Sequence, residues 1–169
     1  AGRIGEAETA YRGILAEAPD TPEALNFVAM RALARGEADA ALRELERAAQ
    51  LEPAQPEIWK NLGIVHLAAA RAQPALESFE RALQLDPHHF VARLHRGAAF
   101  ERMGDRYQAA ANYYGAIVAA QNRGLWLNDA STAPGLRVAV KHAMRVVGED
   151  RRRLLLDLLA PLRERHGAA

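Results

Sequence analysis

The chain repeats itself with a period of 34 residues, and this period constrains the fold more than any single residue does. Three segments of that length, 22–55, 56–89 and 90–123, align without a gap. Within each segment, apolar and small residues recur at spacings of three and four, which predicts two amphipathic helices. A single helix pair cannot bury its apolar face alone, so we expect neighbouring pairs to stack on one another.

The second segment carries the repeat pattern best. The residues at its characteristic repeat positions are Trp59, Leu62, Gly63, His66, Ala75, Phe79, Ala82 and Pro87. Small residues where two helices must touch, a closing Pro and a period near 34 resemble the tetratricopeptide repeat (TPR). The resemblance implies an all-α fold, a right-handed α-solenoid of helix pairs, whose concave groove binds a peptide or protein segment.

The repeat register also predicts the organisation of the rest of the chain. Residues 3–19 match the second helix of a repeat, with Tyr11 in the place of Leu45, and form a half repeat. After the third repeat the period breaks, which predicts an irregular linker over 124–135 and a C-terminal cap of helices over 136–166. We expect the whole chain, 1–169, to form one solenoid domain.

Composition excludes several classes of protein. The chain has no cysteine, a net charge of +1 and no apolar stretch long enough to span a bilayer. The basic run 151–153 is interpreted as the solvated face of a helix, because few aromatic residues accompany it. We therefore expect a cytoplasmic protein that binds neither nucleic acid nor membrane.

No pattern of catalytic residues is present in the sequence. It contains no Gly-rich phosphate loop, no nucleophile in a known setting and no His pair at metal-ligand spacing. His66 is interpreted as a packing residue, whereas His88 and His89 are expected to be exposed in a turn. We expect no enzymatic activity, no metal and no cofactor in this chain.

The resemblance also implies which residues face the groove. Carried over from the family's first helices, they are Asn26, Phe27, Met30, Leu33, Lys60, Asn61, Ile64, Leu67, His95 and Arg102. This mixture of apolar and hydrogen-bonding side chains suits an extended or helical peptide. It does not suit the family's carboxylate clamp, because Met30, Val91 and His95 replace the clamp's Asn, Lys and Arg.

Two arginines of the third repeat depart from the family pattern. Arg93 and Arg96 stand where an aromatic residue and a Leu normally pack. A buried guanidinium without a partner is costly. We therefore expect these side chains to reach solvent or to pair with Glu101 or Asp105; as an alternative, the two together could hold an anionic group.

Two further hypotheses remain open at this point. The runs 86–97 and 126–137 resemble the TPR region that precedes the catalytic domain in bacterial aspartyl/asparaginyl β-hydroxylase-type proteins, which are iron- and 2-oxoglutarate-dependent. That resemblance, over 86–166, implies a non-catalytic N-terminal region serving a downstream domain of the same polypeptide. The other hypothesis is a homodimer formed through the terminal helices, since the first helix lacks its repeat partner and the last carries a Leu stripe.

Overall fold

The computed structural model describes residues 2–123 and 133–146, and all regular structure within these residues is helical. The helices are α1 (Gly2–Glu17), α2 (Pro22–Ala34), α3 (Ala38–Leu51), α4 (Pro56–Ala68), α5 (Ala72–Leu85), α6 (Phe90–Arg102), α7 (Arg106–Asn122) and α8 (Ala133–Val146). The predicted all-α class is confirmed. The chain divides into two compact units, Ala1–Leu85 and Asp86–Ala169.

Each predicted repeat is a pair of packed helices: α2 with α3, α4 with α5, and α6 with α7. Pro22 and Pro56 occupy the start of α2 and α4, where the missing amide hydrogen has no intrahelical partner to lose. The turn inside each pair uses the left-handed backbone region, at Gly36, Ala70 and Gly104 with φ of 82°, 58° and 82°. These residues are 34 apart, so the turns repeat with the sequence.

The core of the first unit follows the repeat register. Leu25, Ala29, Leu45 and Val65 belong to one buried cluster built from α2, α3 and α4. Where the small residue of a first helix is Ala29, the facing position of the second helix is Leu45. In the next pair the small residue is Gly63 of α4, and the side chain that faces it is the larger Phe79 of α5, which is fully buried. The close packing of each pair therefore depends on matching a small residue with a large one.

The second unit has a core of its own, made by α6, α7 and α8. Tyr113 and Ile117 of α7 are buried with Ala143 of α8 and Leu94 of α6. A Cβ at Gly97 would lie 2.8 Å from the Tyr113 ring, so this pair repeats the glycine–aromatic match. Helix α8 packs on α7 as a predicted cap helix should.

The C-terminal prediction is only partly covered by the described residues. Helix α8 begins at Ala133, three residues before the predicted cap boundary at 136 and inside the predicted linker 124–135. The rest of that linker, 124–132, and the second cap helix with its Leu stripe lie outside the residues that the structure describes.

Helix α1 spans most of the predicted half repeat, 3–19, and packs on α2. Glu8 of α1 accepts hydrogen bonds from Arg12 of the same helix, from Arg31 of α2 and from Arg35, which follows α2. Hydrogen bonding by Arg12, reinforced by Arg31 and Arg35, holds the pKa of Glu8 below its usual value. The carboxylate therefore stays ionised and ties α1 to α2.

On its other side, α1 is covered by none of the helices within residues 2–123 and 133–146. Ile14 is 42% exposed, whereas the residues at its place in the three repeats, Ala48, Ala82 and Ala116, are fully buried. Ile4 on the same helix is 52% exposed. In a complete repeat this face packs against the first helix of the pair, so its exposure follows directly from the half repeat.

Candidate functional site

The ten predicted groove residues are divided between the two units. Those of α2 and α4 belong to the first unit, and His95 and Arg102 of α6 belong to the second. His95 is half-buried and Arg102 is exposed.

A pocket of about 380 Å³ opens in the first unit between α1, α2, the α3–α4 turn and the start of α4. Three of the predicted residues, Asn26, Phe27 and Met30, line it. The complete lining is Tyr11, Pro22, Glu23, Asn26, Phe27, Met30, Glu52, Gln55, Glu57 and Ile58. The pocket thus combines an apolar floor with polar side chains at its margin.

An aromatic pair forms one wall of the pocket. The rings of Tyr11 and Phe27 are stacked, with their centroids 4.3 Å apart and their planes at 24°. Tyr11 was not among the predicted site residues. The sequence did hold the signal for it, because α1 stands in the register of a second helix, and α3, the second helix of the first repeat, packs on α4, the first helix of the next one.

Two asparagines connect α2 with α4 beside this wall. Asn61 is 6% exposed, and its Nδ2 donates to Oδ1 of Asn26 at 2.7 Å. Asn61 therefore positions Asn26 and offers little surface of its own. Nδ2 of Asn26, a residue that lines the pocket, takes no part in this bond and can donate to another group.

The charged residues that line the pocket are all acidic: Glu23, Glu52 and Glu57. Lys60, a predicted groove residue, pairs with Glu57 across one turn of α4 at 2.6 Å. Within residues 2–123 and 133–146, neither Glu23 nor Glu52 forms an ion pair. The pocket consequently has an acidic rim with two carboxylates that are open to a ligand.

The remaining predicted residues of the first unit lie farther into the fold. Leu33 packs against the buried cluster of α2, α3 and α4. Leu67 is buried, and Ile64 is half-buried on the same helix. None of the three lines the pocket.

The second unit contains a cluster of polar side chains around Glu101 of α6. Its carboxylate accepts hydrogen bonds from Tyr113 Oη at 2.6 Å and from Arg145 of α8, and it lies 3.2 Å from Nδ1 of His142. Burial alone would raise the pKa of Glu101, but the hydrogen bonds from Tyr113 and His142 and the charge of Arg145 outweigh it and lower that pKa. Burial and the adjacent carboxylate raise the pKa of Tyr113. The cluster therefore links α8 to α6 and α7 through an ionised Glu101.

The expectation about His89 needs correction, and Arg93 has an acceptor that the sequence did not indicate. Among the residues that the structure describes, Arg93 pairs with no carboxylate: its guanidinium donates to the Pro87 carbonyl at 2.6 Å, and its side chain crosses α7 at Gly115. His88 is exposed as predicted, but the prediction is wrong for His89, which is buried and accepts a hydrogen bond from the Ala92 amide as the N-cap of α6. A turn histidine can be buried because the start of a helix supplies a donor for its ring.

Arg96 and His66 also have defined surroundings. Nε of Arg96 donates to Oδ1 of Asn112 at 2.6 Å, so its acceptor is an amide of α7. His66 is half-buried among the helices, and burial lowers its pKa. It is therefore neutral near pH 7, in keeping with a packing position.

Within the described ranges 2–123 and 133–146, no three His, Asp or Glu side chains are grouped as ligands for a metal ion. In the same ranges, no helix is both long and apolar enough to cross a lipid bilayer.

A family model described as tetratricopeptide repeat matches residues 1–56 and 29–90, which together make up more than half of the chain. The predicted TPR resemblance is thereby confirmed. Among curated proteins no relative matches.

Several solved structures have a similar fold. One is MamA, at 20% identity and a TM-score of 0.62, with 90% of this chain and 92% of that chain covered. Another is SycD, the type III secretion translocator chaperone of Yersinia enterocolitica, in an alternative dimer (16% identity, TM-score 0.68, 75% and 92% covered). A third is PcrH in complex with the chaperone binding region of PopD (18% identity, TM-score 0.67, 80% and 95% covered). None of these named matches points to a β-hydroxylase, so that resemblance gains no support.

Proposed function

The chain belongs to the tetratricopeptide repeat family, and from that premise we propose that it binds a segment of another protein in the pocket of its first unit. The observation that carries the proposal is the combination found in this pocket. Apolar and aromatic side chains line it together with an oriented amide, that of Asn26. Peptide sites need both features, because apolar pockets receive side chains while hydrogen-bonding groups hold the main chain.

The comparisons support this kind of partner. PcrH is seen bound to the chaperone binding region of PopD, which is a segment of another protein. Sequence identity is low, so the likeness concerns the fold and leaves the partner's sequence open. On this proposal the chain acts by binding, without chemistry of its own.

The test uses a displayed library of short random peptides selected against the full chain, followed by fluorescence anisotropy with the selected peptides. Phe27→Ala removes one half of the aromatic wall and is expected to weaken binding about tenfold or more, as for other buried aromatic anchors. Tyr107→Ala is the matched control, since Tyr107 is a 72% exposed aromatic residue of the second unit. Selected peptides that bind both variants equally well would contradict the proposal.

A second candidate function is self-association through α1, with a second copy of the chain as the partner. Its basis is the exposure of Ile4 and Ile14 on α1, since the equivalents of Ile14 in the three repeats are fully buried. The structural likeness to SycD, which forms a dimer, also favours it. Sedimentation equilibrium should show a dimer that Ile14→Asp weakens and Leu51→Asp, a similarly exposed site on α3, does not. A monomer at all micromolar concentrations would rule this candidate out.

A further inference from the structure

We propose that the pocket of the first unit receives a cationic side chain, Lys or Arg, from the bound segment. This inference rests on the proposed peptide-binding function and names the chemistry that the pocket recognises. Four kinds of observation carry it: the charge of the rim, the character of the walls, the position of the asparagine pair and the arrangement of the ion pair at Lys60.

All charged side chains at the rim of the pocket are negative. Glu23 begins the pocket on α2, Glu52 contributes from the end of α3, and Glu57 from the start of α4. No Lys or Arg is among the lining residues. Three carboxylates around one opening repel one another, and a cation from a ligand relieves that repulsion.

The protein neutralises only one of these carboxylates itself. Lys60 is held by Glu57, and its side chain is only 15% exposed, so it lies along the fold and away from bulk solvent. Within residues 2–123 and 133–146, Glu23 and Glu52 have no such internal cation. The uncompensated charge is therefore found on the α2 and α3 sides of the pocket, next to the aromatic wall.

The walls suit the stem of a long basic side chain. Tyr11, Phe27 and Met30 supply an apolar surface for methylene groups. The stacked rings also present a π face, which attracts a cation that lies over it. The stem of a Lys or Arg side chain can pack on the apolar walls while its charged end pairs with the carboxylates of the rim. A purely apolar side chain leaves Glu23 and Glu52 without a partner.

The asparagine pair sets the position of the main chain. Because Oδ1 of Asn26 accepts from Asn61, Nδ2 of Asn26 is the group left to donate, and the acceptor in a peptide is a backbone carbonyl. Asn26 lines the same pocket as Phe27, Glu23 and Glu52, so a carbonyl bound there anchors the main chain at the pocket. The side chain next to that carbonyl is the one we expect to enter the acidic pocket.

The experiment compares the peptides selected against the wild-type chain with those selected against the double variant Glu23→Gln, Glu52→Gln. We expect Lys or Arg to be enriched at one peptide position with the wild-type chain only. For a selected Lys peptide, the double variant should bind about fivefold to tenfold more weakly, the range for two exposed carboxylate–cation pairs. Replacing that Lys with norleucine, which keeps the stem and removes the charge, should lower wild-type affinity by a similar factor. The norleucine peptide should bind the double variant and the wild-type chain alike.

The matched control removes two carboxylates elsewhere in the first unit, with Glu46→Gln and Glu80→Gln, two exposed residues outside the pocket lining. This control variant should bind the selected Lys peptide with the same affinity as the wild-type chain. Selected peptides that lack a common basic position, yet lose affinity with Phe27→Ala, would overturn this inference and leave the peptide-binding function standing. Peptides insensitive to Phe27→Ala would overturn both.

Discussion

Gly63 of α4 lies directly against the ring of Phe79 of α5: a Cβ added at Gly63 would be 2.5 Å from Cε1 of that ring. Real Cβ atoms do not approach other atoms so closely, so the two helices are as near to each other as the missing side chain allows. Phe79 is fully buried. The glycine is therefore a packing residue, although it sits inside a helix.

Gly63→Ala should destabilise the protein for this reason. Alanine favours the helix by about 1 kcal/mol, but overpacking against Phe79 costs about 1–3 kcal/mol. Gly13→Ala in α1 is the matched control, because nothing lies within 4 Å of the added Cβ there, and it should be neutral or stabilising. Urea unfolding of both variants measures the difference. A Gly63→Ala variant as stable as the wild type would contradict the packing role.

The turn inside the second repeat should tolerate glycine better than its own residue. Ala70 has a φ of 58°, where a side chain costs about 1–2 kcal/mol, and Gly36 and Gly104 occupy the same turn position in the other repeats. Allowing for the backbone entropy of glycine, Ala70→Gly should stabilise by about 0.5–1 kcal/mol. Gly36→Ala should destabilise by a similar amount. Thermal unfolding should show a higher Tm for Ala70→Gly and a lower Tm for Gly36→Ala. Changes in Tm of the same sign would refute the explanation.

The Asn26–Asn61 hydrogen bond should contribute to stability as well as to the site. Asn61→Ala leaves Asn26 without its donor and removes a buried amide, which we expect to cost about 1–2 kcal/mol. A double-mutant cycle with Asn26→Ala should give a coupling energy of about 1 kcal/mol in urea unfolding. A coupling energy indistinguishable from zero would mean that the two side chains act independently.

Glu101→Gln should loosen α8 from the second unit. The carboxylate joins Tyr113 of α7 to His142 and Arg145 of α8, and the neutral amide keeps the shape while losing the charge. Because the pair with Arg145 is largely exposed, we expect a loss of only about 1 kcal/mol. Hydrogen exchange of the α8 amides measures it. Glu80→Gln, on the exposed face of α5, is the control and should leave that exchange unchanged.

Acid should loosen the same contact in the wild-type chain. The pKa of Glu101 is lower in the folded protein than the ordinary carboxyl value of about 4.3. Its contribution to stability is therefore complete above that value and is lost as the pH falls through the lowered folded pKa. In this window, exchange of the α8 amides should accelerate in the wild-type chain more than in Glu101→Gln. Parallel pH profiles would show that another group controls the docking of α8.

Much of the fold was predictable because it depends on local periodicity. The three helix pairs, the half repeat at α1 and the turn at Ala70 all follow from residues that recur 34 apart. Positions such as Leu45 and Phe79 are core positions for the same reason. Repetition makes such predictions dependable, since the pattern of each 34-residue repeat supports the helix assignment of the other repeats.

The partners of polar side chains were less predictable. Arg93 was expected to find a carboxylate or solvent, and it finds the Pro87 carbonyl, made accessible by the absence of a side chain at Gly115. His89 was expected to be exposed, and it caps α6. A long side chain can reach acceptors on several elements, and sequence spacing does not tell which of them is nearest.

By itself, the sequence determined the family, the all-α class and the helix pairs, because a period of 34 and the alternation of small and large residues act through neighbouring parts of the chain. Only the tertiary structure decided which of the predicted groove residues meet in a pocket. It brought Tyr11 of α1 onto Phe27 and buried Asn61 behind Asn26. It also gathered Glu23 and Glu52 at one rim. These contacts join residues far apart in the chain, and their geometry depends on how whole helices pack, which no local pattern specifies.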